Sequence, residues 1–391
     1  MTGLDRATLR TALALALAAA VSLGTARFAY ALLLPPMRAD LGWSYFTAGA
    51  MNTVNAAGYL LGALALPRLL RHVDARAVML VGGATAAVLL ALHGAVRSDV
   101  ALLALRAASG VASAASFVCG GVLAARLASQ AGSRAAQVLG LYYGGTGVGI
   151  VASALVVPPI VTAAATAWTA AWLVLGALSL AATAITSGGT RSLHAPPTPG
   201  APRASLALRP FAWGLAGYLM FGLGYIGYMT FIVTLLREQG LGAGTVTVFY
   251  IVLGLGVVAS SWLWAGLLQR HRGGRPLAVL NGLLALATAL VVISAQPWLV
   301  FVSGALFGSV FLSVVASTTA LVRHNAEPQQ WPAGITAFTI VFAAGQIVGP
   351  SLTGAIADGP GGLLRGLAWS AAALALGAVF AALQRPLLRA A

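Results

Sequence analysis

Charge is what this chain has least of. Only 7% of its 391 residues are charged while 60% are hydrophobic, and a soluble domain carries close to a quarter charged residues. That deficit excludes a soluble globular protein. Lysine is absent altogether: all 22 basic residues are arginine, and the seven acids are Asp5, Asp40, Asp74, Asp99, Glu238, Glu327 and Asp358. The single cysteine, Cys119, rules out an intrachain disulfide and a cysteine metal cage. The short alternating strands of a transmembrane β-barrel are missing as well. What is present instead is long apolar sequence, in Thr11 to Leu34, Ala77 to Val96, Val138 to Val157 and Leu277 to Ala295. Each run can cross a hydrocarbon layer of about 30 Å as a helix of about 20 residues. The expected fold is an all-α, polytopic membrane protein.

Charged and Pro/Gly breaks divide the chain into twelve expected spans: 10 to 34, 44 to 67, 77 to 96, 100 to 125, 138 to 161, 167 to 187, 210 to 236, 246 to 268, 277 to 296, 298 to 322, 333 to 357 and 363 to 384. The first follows Arg6 and Arg10 and is too long for a signal-peptide core, so it reads as an uncleaved helix. With the N-terminus inside, sixteen arginines fall in cytoplasmic segments and four, Arg38, Arg97, Arg237 and Arg365, on the opposite side. Sixteen against four is a positive-inside signal that puts both termini in the cytoplasm. It also accounts for the net charge of +15 without a nucleic acid partner, and makes anionic lipid the expected surface partner.

The chain is expected to divide into a six-span unit over 1–187, a cytoplasmic linker over 188–209 and a second six-span unit over 210–391. The linker holds Pro196, Pro197, Pro199 and Pro202 among small and basic residues, which cannot bury a core. Two features recur across it at a shift of about 200 residues. Arg71-His72-Val73-Asp74-Ala75-Arg76 returns as Arg270-His271-Arg272-Gly273-Gly274-Arg275, and Gly145 with Gly149 returns as Gly345 with Gly349. The pattern is that of two parallel repeats.

Six plus six spans about a linker, with basic turns after spans two and eight, resemble the major facilitator superfamily. Gly266, His271, Gly273 and Arg275 follow the outline of its loop motif, from which the first copy departs at Pro67, Arg71 and Asp74. Arg106 with Gly110 resembles its Arg-x-x-x-Gly motif, and Trp168 to Trp172 its aromatic entry to span six. Arg27-Phe28-Ala29-Tyr30 followed by Leu33-Leu34-Pro35 is similar to the uncharacterised bacterial YbfB/YjiJ-type branch. The resemblance implies alternating access about a cavity lined mainly by spans 1, 4, 7 and 10, in a functional monomer.

Helical spacing aligns Arg106, Ser109, Ser113 and Ser116 on span four, Ser309, Ser313 and Ser317 on span ten, Tyr218, Tyr225 and Tyr228 on span seven, and Asn52, Asn55 and Tyr59 on span two. Small hydroxyl residues also serve close helix packing, so each stripe has a structural reading beside the cavity reading. Arg27 and Arg106 are the two intramembrane charges, each expected roughly 10 Å below the outer surface. Guanidinium forks there suit a carboxylate; the other reading is that they snorkel or brace helix-end carbonyls. The candidate substrate-binding set is Arg27, Tyr30, Asn55, Arg106, Ser109, Ser113, Tyr142, Tyr225, Tyr228, Ser313 and Gln346. His93, a proton-coupling candidate, reads as an interfacial residue near Arg97.

No acid falls mid-span, which argues against a cation carrier or a carboxylate-driven drug antiporter. Gly222-Leu223-Gly224-Tyr225-Ile226-Gly227 matches a dinucleotide motif only literally, since no strand precedes it. Neither a hydrolase triad nor a metal motif is found, so an intramembrane enzyme is not expected, and no cofactor is called for. The favoured function is secondary transport of a small organic anion, a carboxylate. The alternative is an exporter of neutral or amphipathic compounds, using the span-seven tyrosines and Trp262 or Trp264.

Overall fold

A computed structural model describes residues 4–164, 166–195 and 205–387. Helices and turns make up the described residues, with no strand among them. Twelve helices run α1 (Arg6–Leu41), α2 (Tyr45–Leu69), α3 (Ala75–His93), α4 (Asp99–Gln130), α5 (Ala135–Val161), α6 (Trp168–Gly189), α7 (Ala212–Glu238), α8 (Ala243–Arg270), α9 (Arg275–Ile293), α10 (Pro297–Asn325), α11 (Trp331–Ala357) and α12 (Gly362–Leu383). Eleven are long and apolar enough to cross a membrane; α2 has the length, but Asn52, Asn55 and its other polar residues lower its hydropathy. Pro196, Pro197, Pro199 and Pro202 of the expected linker lie outside the described residues.

The largest correction to the expected spans is in α1, which does not stop at Leu34 but continues through Pro35 and Pro36 to Leu41. Proline removes an N–H and crowds the carbonyl four residues back. Here the helix has already left α geometry upstream, over a nine-residue π-helical stretch, Ala20–Phe28, before resuming at Tyr30. At the other edge of the expected linker, α6 runs on through Gly188 to Gly189, and Thr190 closes it by returning its hydroxyl to the Thr186 carbonyl at 2.7 Å.

The helices form two six-helix bundles, α1–α6 and α7–α12, joined along α2 with α11 and α5 with α8. Lipid tails are as apolar as leucine, so helices associate through close packing of small residues rather than through hydrophobic exclusion. Gly145 and Gly149 bring α5 onto α1, where a Cβ would stand 2.0 Å from the Ala16 carbonyl oxygen and 2.4 Å from that of Ala20. Gly345 and Gly349 bring α11 onto α7 in the same manner, 2.6 Å from the carbonyl oxygens of Leu219 and Leu223. The repeat seen in the sequence is thus one helix contact made twice.

Let the terminal end be the side where α1 begins and α12 ends, and the far end the opposite side. Hydrogen bonds crossing between the bundles gather from mid-depth to the far end. Thr53 donates to the Ile347 carbonyl at 2.6 Å, Asn52 to the Thr230 hydroxyl at 2.8 Å, and Tyr250 to the Phe28 carbonyl at 2.6 Å. At the rim, both Asp358 carboxylate oxygens accept from α2 backbone amides, of Tyr45 at 2.7 Å and of Phe46 at 2.9 Å. Glu238 accepts from the Tyr45 hydroxyl and pairs with Arg38 at 3.6 Å. The far end is closed. Toward the terminal end α5 still meets α8, with Gly140 against Trp262, yet Tyr59 and Phe342 remain only half-buried beside the mid-depth contacts.

Candidate functional site

The two intramembrane arginines reach one level because α1 overshoots the start of α4. Arg27 is fourteen residues from Leu41, roughly 20 Å along the helix, and Arg106 seven from Asp99, roughly 10 Å. They are deployed differently. Arg106, 1% exposed, donates Nη1 to the Ala26 carbonyl at 3.1 Å, Nη2 to Asn52 Oδ1 at 2.6 Å and Nε to the Met51 carbonyl at 3.4 Å. Its Cζ lies 4.6 Å from the Tyr30 ring centroid. Ala26 belongs to the π-helical stretch, where the change of hydrogen-bond register disturbs the usual carbonyl pairing. Arg106 supplies a donor there, and Tyr250 supplies the one at Phe28. Irregular backbone at membrane depth is tolerated where protein groups satisfy it.

Arg27 has one hydrogen-bond acceptor among the described residues, the side-chain oxygen of Gln346 on α11. That oxygen also accepts from the Tyr225 hydroxyl at 2.5 Å. The Arg27 Cζ lies 5.9 Å from the ring centroids of both Phe28 and Tyr59. Helix α11 is loosened at this place, because Pro350 cannot donate to the Gln346 carbonyl four residues back. Beside Tyr225, the rings of Tyr218, Phe221 and Phe342 stack with centroid distances of 4.7 to 5.6 Å between Tyr225 and Phe221, Phe221 and Phe342, Tyr218 and Phe342, and Tyr225 and Phe342. Phe311 adds a fifth ring, 6.1 Å from Tyr225 and edge-on to Phe28 at 5.6 Å.

Of the residues proposed from sequence, the structure brings together Arg27, Tyr225 and Gln346. Arg106, Tyr30 and Asn55 form an adjoining brace: Tyr30 donates to the Ala48 carbonyl at 2.9 Å and Asn55 to the Arg106 carbonyl at 3.0 Å. The others lie apart. Tyr228 pairs with Ser303 at 2.7 Å and stacks on Phe307, Ser313 donates to the Ser260 carbonyl at 3.1 Å, and Tyr142 donates to the Phe117 carbonyl. Ser109 and Ser113, with Ser116, are buried on α4 without a hydrogen-bond partner among the described residues. Sequence reasoning passed over Phe311, Phe342 and Tyr250, since an aromatic residue in an apolar helix carries no mark of the face it occupies. Tyr59 stands in the span-two stripe, outside the candidate set.

His93 lies within the α3–α6 packing rather than at a surface. Its ring stacks on Trp172 at 4.6 Å and its Nδ1 contacts the Leu89 carbonyl at 2.7 Å. Trp264 donates to the Ser309 carbonyl at 2.7 Å, away from Arg27. Among the described residues no three His, Cys, Asp or Glu side chains gather as a metal site requires.

Residues 19–382 match the family described as uncharacterised MFS-type transporter YbfB. The chain belongs to this family of major facilitator superfamily transporters. No curated protein sequence matches it. Among solved structures it is similar to a bacterial homologue of the human lysosomal transporter Spinster in an inward-facing, occupied conformation, at 14% identity over 97% of each chain with a TM-score of 0.71. It is also similar to the nucleoside transporter NupG, at 15% identity over 96% of this chain and 97% of that one, with a TM-score of 0.69. At such identities the likeness is one of fold. The YbfB-type chain is therefore a membrane-spanning transporter of the superfamily, and its cargo has to be argued from its own residues.

Proposed function

We propose that this YbfB-type transporter carries a small organic carboxylate by alternating access, with Arg27 as its anion-binding group. One observation carries the reading: Arg27 is a buried guanidinium whose only hydrogen-bond acceptor among the described residues is a neutral amide, and it forms no ion pair there. A charge at a helix centre costs about 2.5–3.5 kcal/mol on insertion scales. A bound anion offsets that cost, whereas Arg106 is already taken up by three acceptors and acts by holding the α1 backbone in shape. The closed far end and the half-buried Tyr59 and Phe342 support a conformation open toward the terminal end. With the arginine asymmetry, that end is the cytoplasmic side of the inner membrane, both termini lie there, and its basic surface favours anionic lipid. The transporter works as a monomer, with the bundles α1–α6 and α7–α12 as the two moving units about the linker that follows Thr190.

The test uses purified protein and reconstituted vesicles. Arg27→Gln should leave the protein monodisperse while removing carboxylate-induced thermal stabilisation and flux, and Arg27→Lys should restore little, because an ammonium lacks the fork. Wild-type flux by Arg27→Gln would end the anion reading. The second reading, export of neutral amphipathic compounds, is favoured by the ring stack of Tyr218, Phe221, Tyr225 and Phe342. Stabilisation by uncharged aromatic compounds that is indifferent to Arg27 would establish it instead.

A further inference from the structure

Gln346 is fixed in orientation by its neighbours. Arginine can only donate, so the atom facing Arg27 has to be the amide oxygen, and the Tyr225 hydroxyl donates to that same oxygen. The Nε2 amide group is thereby turned the other way, and it has no hydrogen-bond acceptor among the described residues. The Arg27 guanidinium and the Gln346 amide thus meet from opposite bundles, each with N–H groups left without an acceptor among the described residues. Such a pair matches the two oxygens of a single carboxylate.

The groups next to these donors are flat and apolar. Tyr59 lies against Arg27 from the first bundle, its ring centroid 5.9 Å from the Arg27 Cζ. Phe342 belongs to the ring stack of the second bundle, against Tyr218, Phe221 and Tyr225, and both Tyr59 and Phe342 are half-buried. Phe117 and Tyr143, 6.1 Å apart, continue the aromatic lining toward the terminal end. The neighbouring Arg106 already donates to Met51, Ala26 and Asn52 and lies against the Tyr30 ring, so it is committed to the helix brace rather than presented as a second anion site. A second carboxylate would have to desolvate against ring faces, which is costly.

We infer that the cargo is a planar aromatic monocarboxylate, its oxygens held by Arg27 and the Gln346 amide and its ring between Tyr59 and Phe342. The inference rests on the anion reading of Arg27 and adds to it the body of the substrate and the role of Gln346. Ring contacts contribute selectivity beyond area burial, enough for at least about a threefold preference over a saturated ring of the same charge.

Binding to the detergent-purified full chain tests this, with benzoate, cyclohexanecarboxylate, phthalate and benzyl alcohol as probes. The expected result is that benzoate binds at least about threefold tighter than cyclohexanecarboxylate, with phthalate weaker still. Tyr59→Leu and Phe342→Leu should erase the preference, whereas Tyr59→Phe should keep it. Gln346→Glu should abolish benzoate binding while raising the thermal stability of the ligand-free protein, since a carboxylate beside Arg27 replaces the substrate's own. Equal binding of benzoate and cyclohexanecarboxylate, both lost in Gln346→Glu, would overturn the aromatic inference and leave the anion reading intact. Benzyl alcohol binding as well as benzoate, unaffected by Gln346→Glu, would overturn both. Failure of all four probes to bind at millimolar concentration would overturn the aromatic inference.

Discussion

Asp358→Ala removes the carboxylate through which α11 holds the N-terminus of α2, at the rim of the closed far end. Two charge-assisted hydrogen bonds are lost, from the Tyr45 amide at 2.7 Å and the Phe46 amide at 2.9 Å. These are first-turn N–H groups with no partner inside their own helix. Asp358 is exposed, so water replaces part of the loss. Losing a cap of this type costs about 1 kcal/mol, and the charge at a helix N-terminus adds roughly 0.5 kcal/mol. The bonds exist only while the far end is closed, so about 1.5 kcal/mol comes off that state alone and the open state gains roughly tenfold in relative population. A cysteine placed at Val233, in the 450 Å³ cleft that α1, α5, α7 and α8 form at the far end, reports the opening. Its alkylation by a bulky maleimide should quicken about tenfold when Asp358→Ala is added. The native Cys119 is fully buried and contributes little background. Unchanged alkylation would refute the view that this carboxylate latches the two bundles.

Arg106→Leu should destabilise the protein more than Arg27→Leu, by about 2–4 kcal/mol, because it strips donors from Ala26, Met51 and Asn52 whereas Arg27→Leu leaves Gln346 still bonded to Tyr225. The charge-burial cost relieved is similar in both, so the order of unfolding midpoints in detergent is decisive, and equal midpoints would contradict the bracing role. Gly349→Val should prevent accumulation of monodisperse protein, since a Cβ there would stand 2.6 Å from the Leu223 carbonyl oxygen; normal gel-filtration behaviour would show that α7 and α11 can separate. Phosphatase fusions at the C-terminus should be inactive and fluorescent-protein fusions bright, and periplasmic activity would reverse the proposed orientation.

The sequence by itself determined the class of fold and the rare residues worth watching. Transfer into hydrocarbon depends on composition over about 20 residues, so the apolar runs mark the helices wherever their partners lie. Arg27 and Arg106 could be singled out for the same reason, as charges in a place where charge is costly, and Gly145, Gly149, Gly345 and Gly349 could be matched by their spacing. Legibility failed where an outcome depends on a partner far along the chain. Pro35 and Pro36 read as a stop, yet α1 goes on, and the carbonyls of its irregular segment are satisfied by Arg106 and Tyr250, 80 and 222 residues away. Two arginines of equal promise in sequence differ in the fold, one a brace with three acceptors and the other an anion-binding candidate with a single amide acceptor among the described residues. Gln346, 319 residues from Arg27, is turned by it and by Tyr225, and Asp358 finds the amides of Tyr45 and Phe46, 313 and 312 residues away, across the contact between the bundles. Composition sets which segments enter the membrane; the pairing of polar groups within it is set by tertiary contact, because no water is present there to satisfy them in any other way.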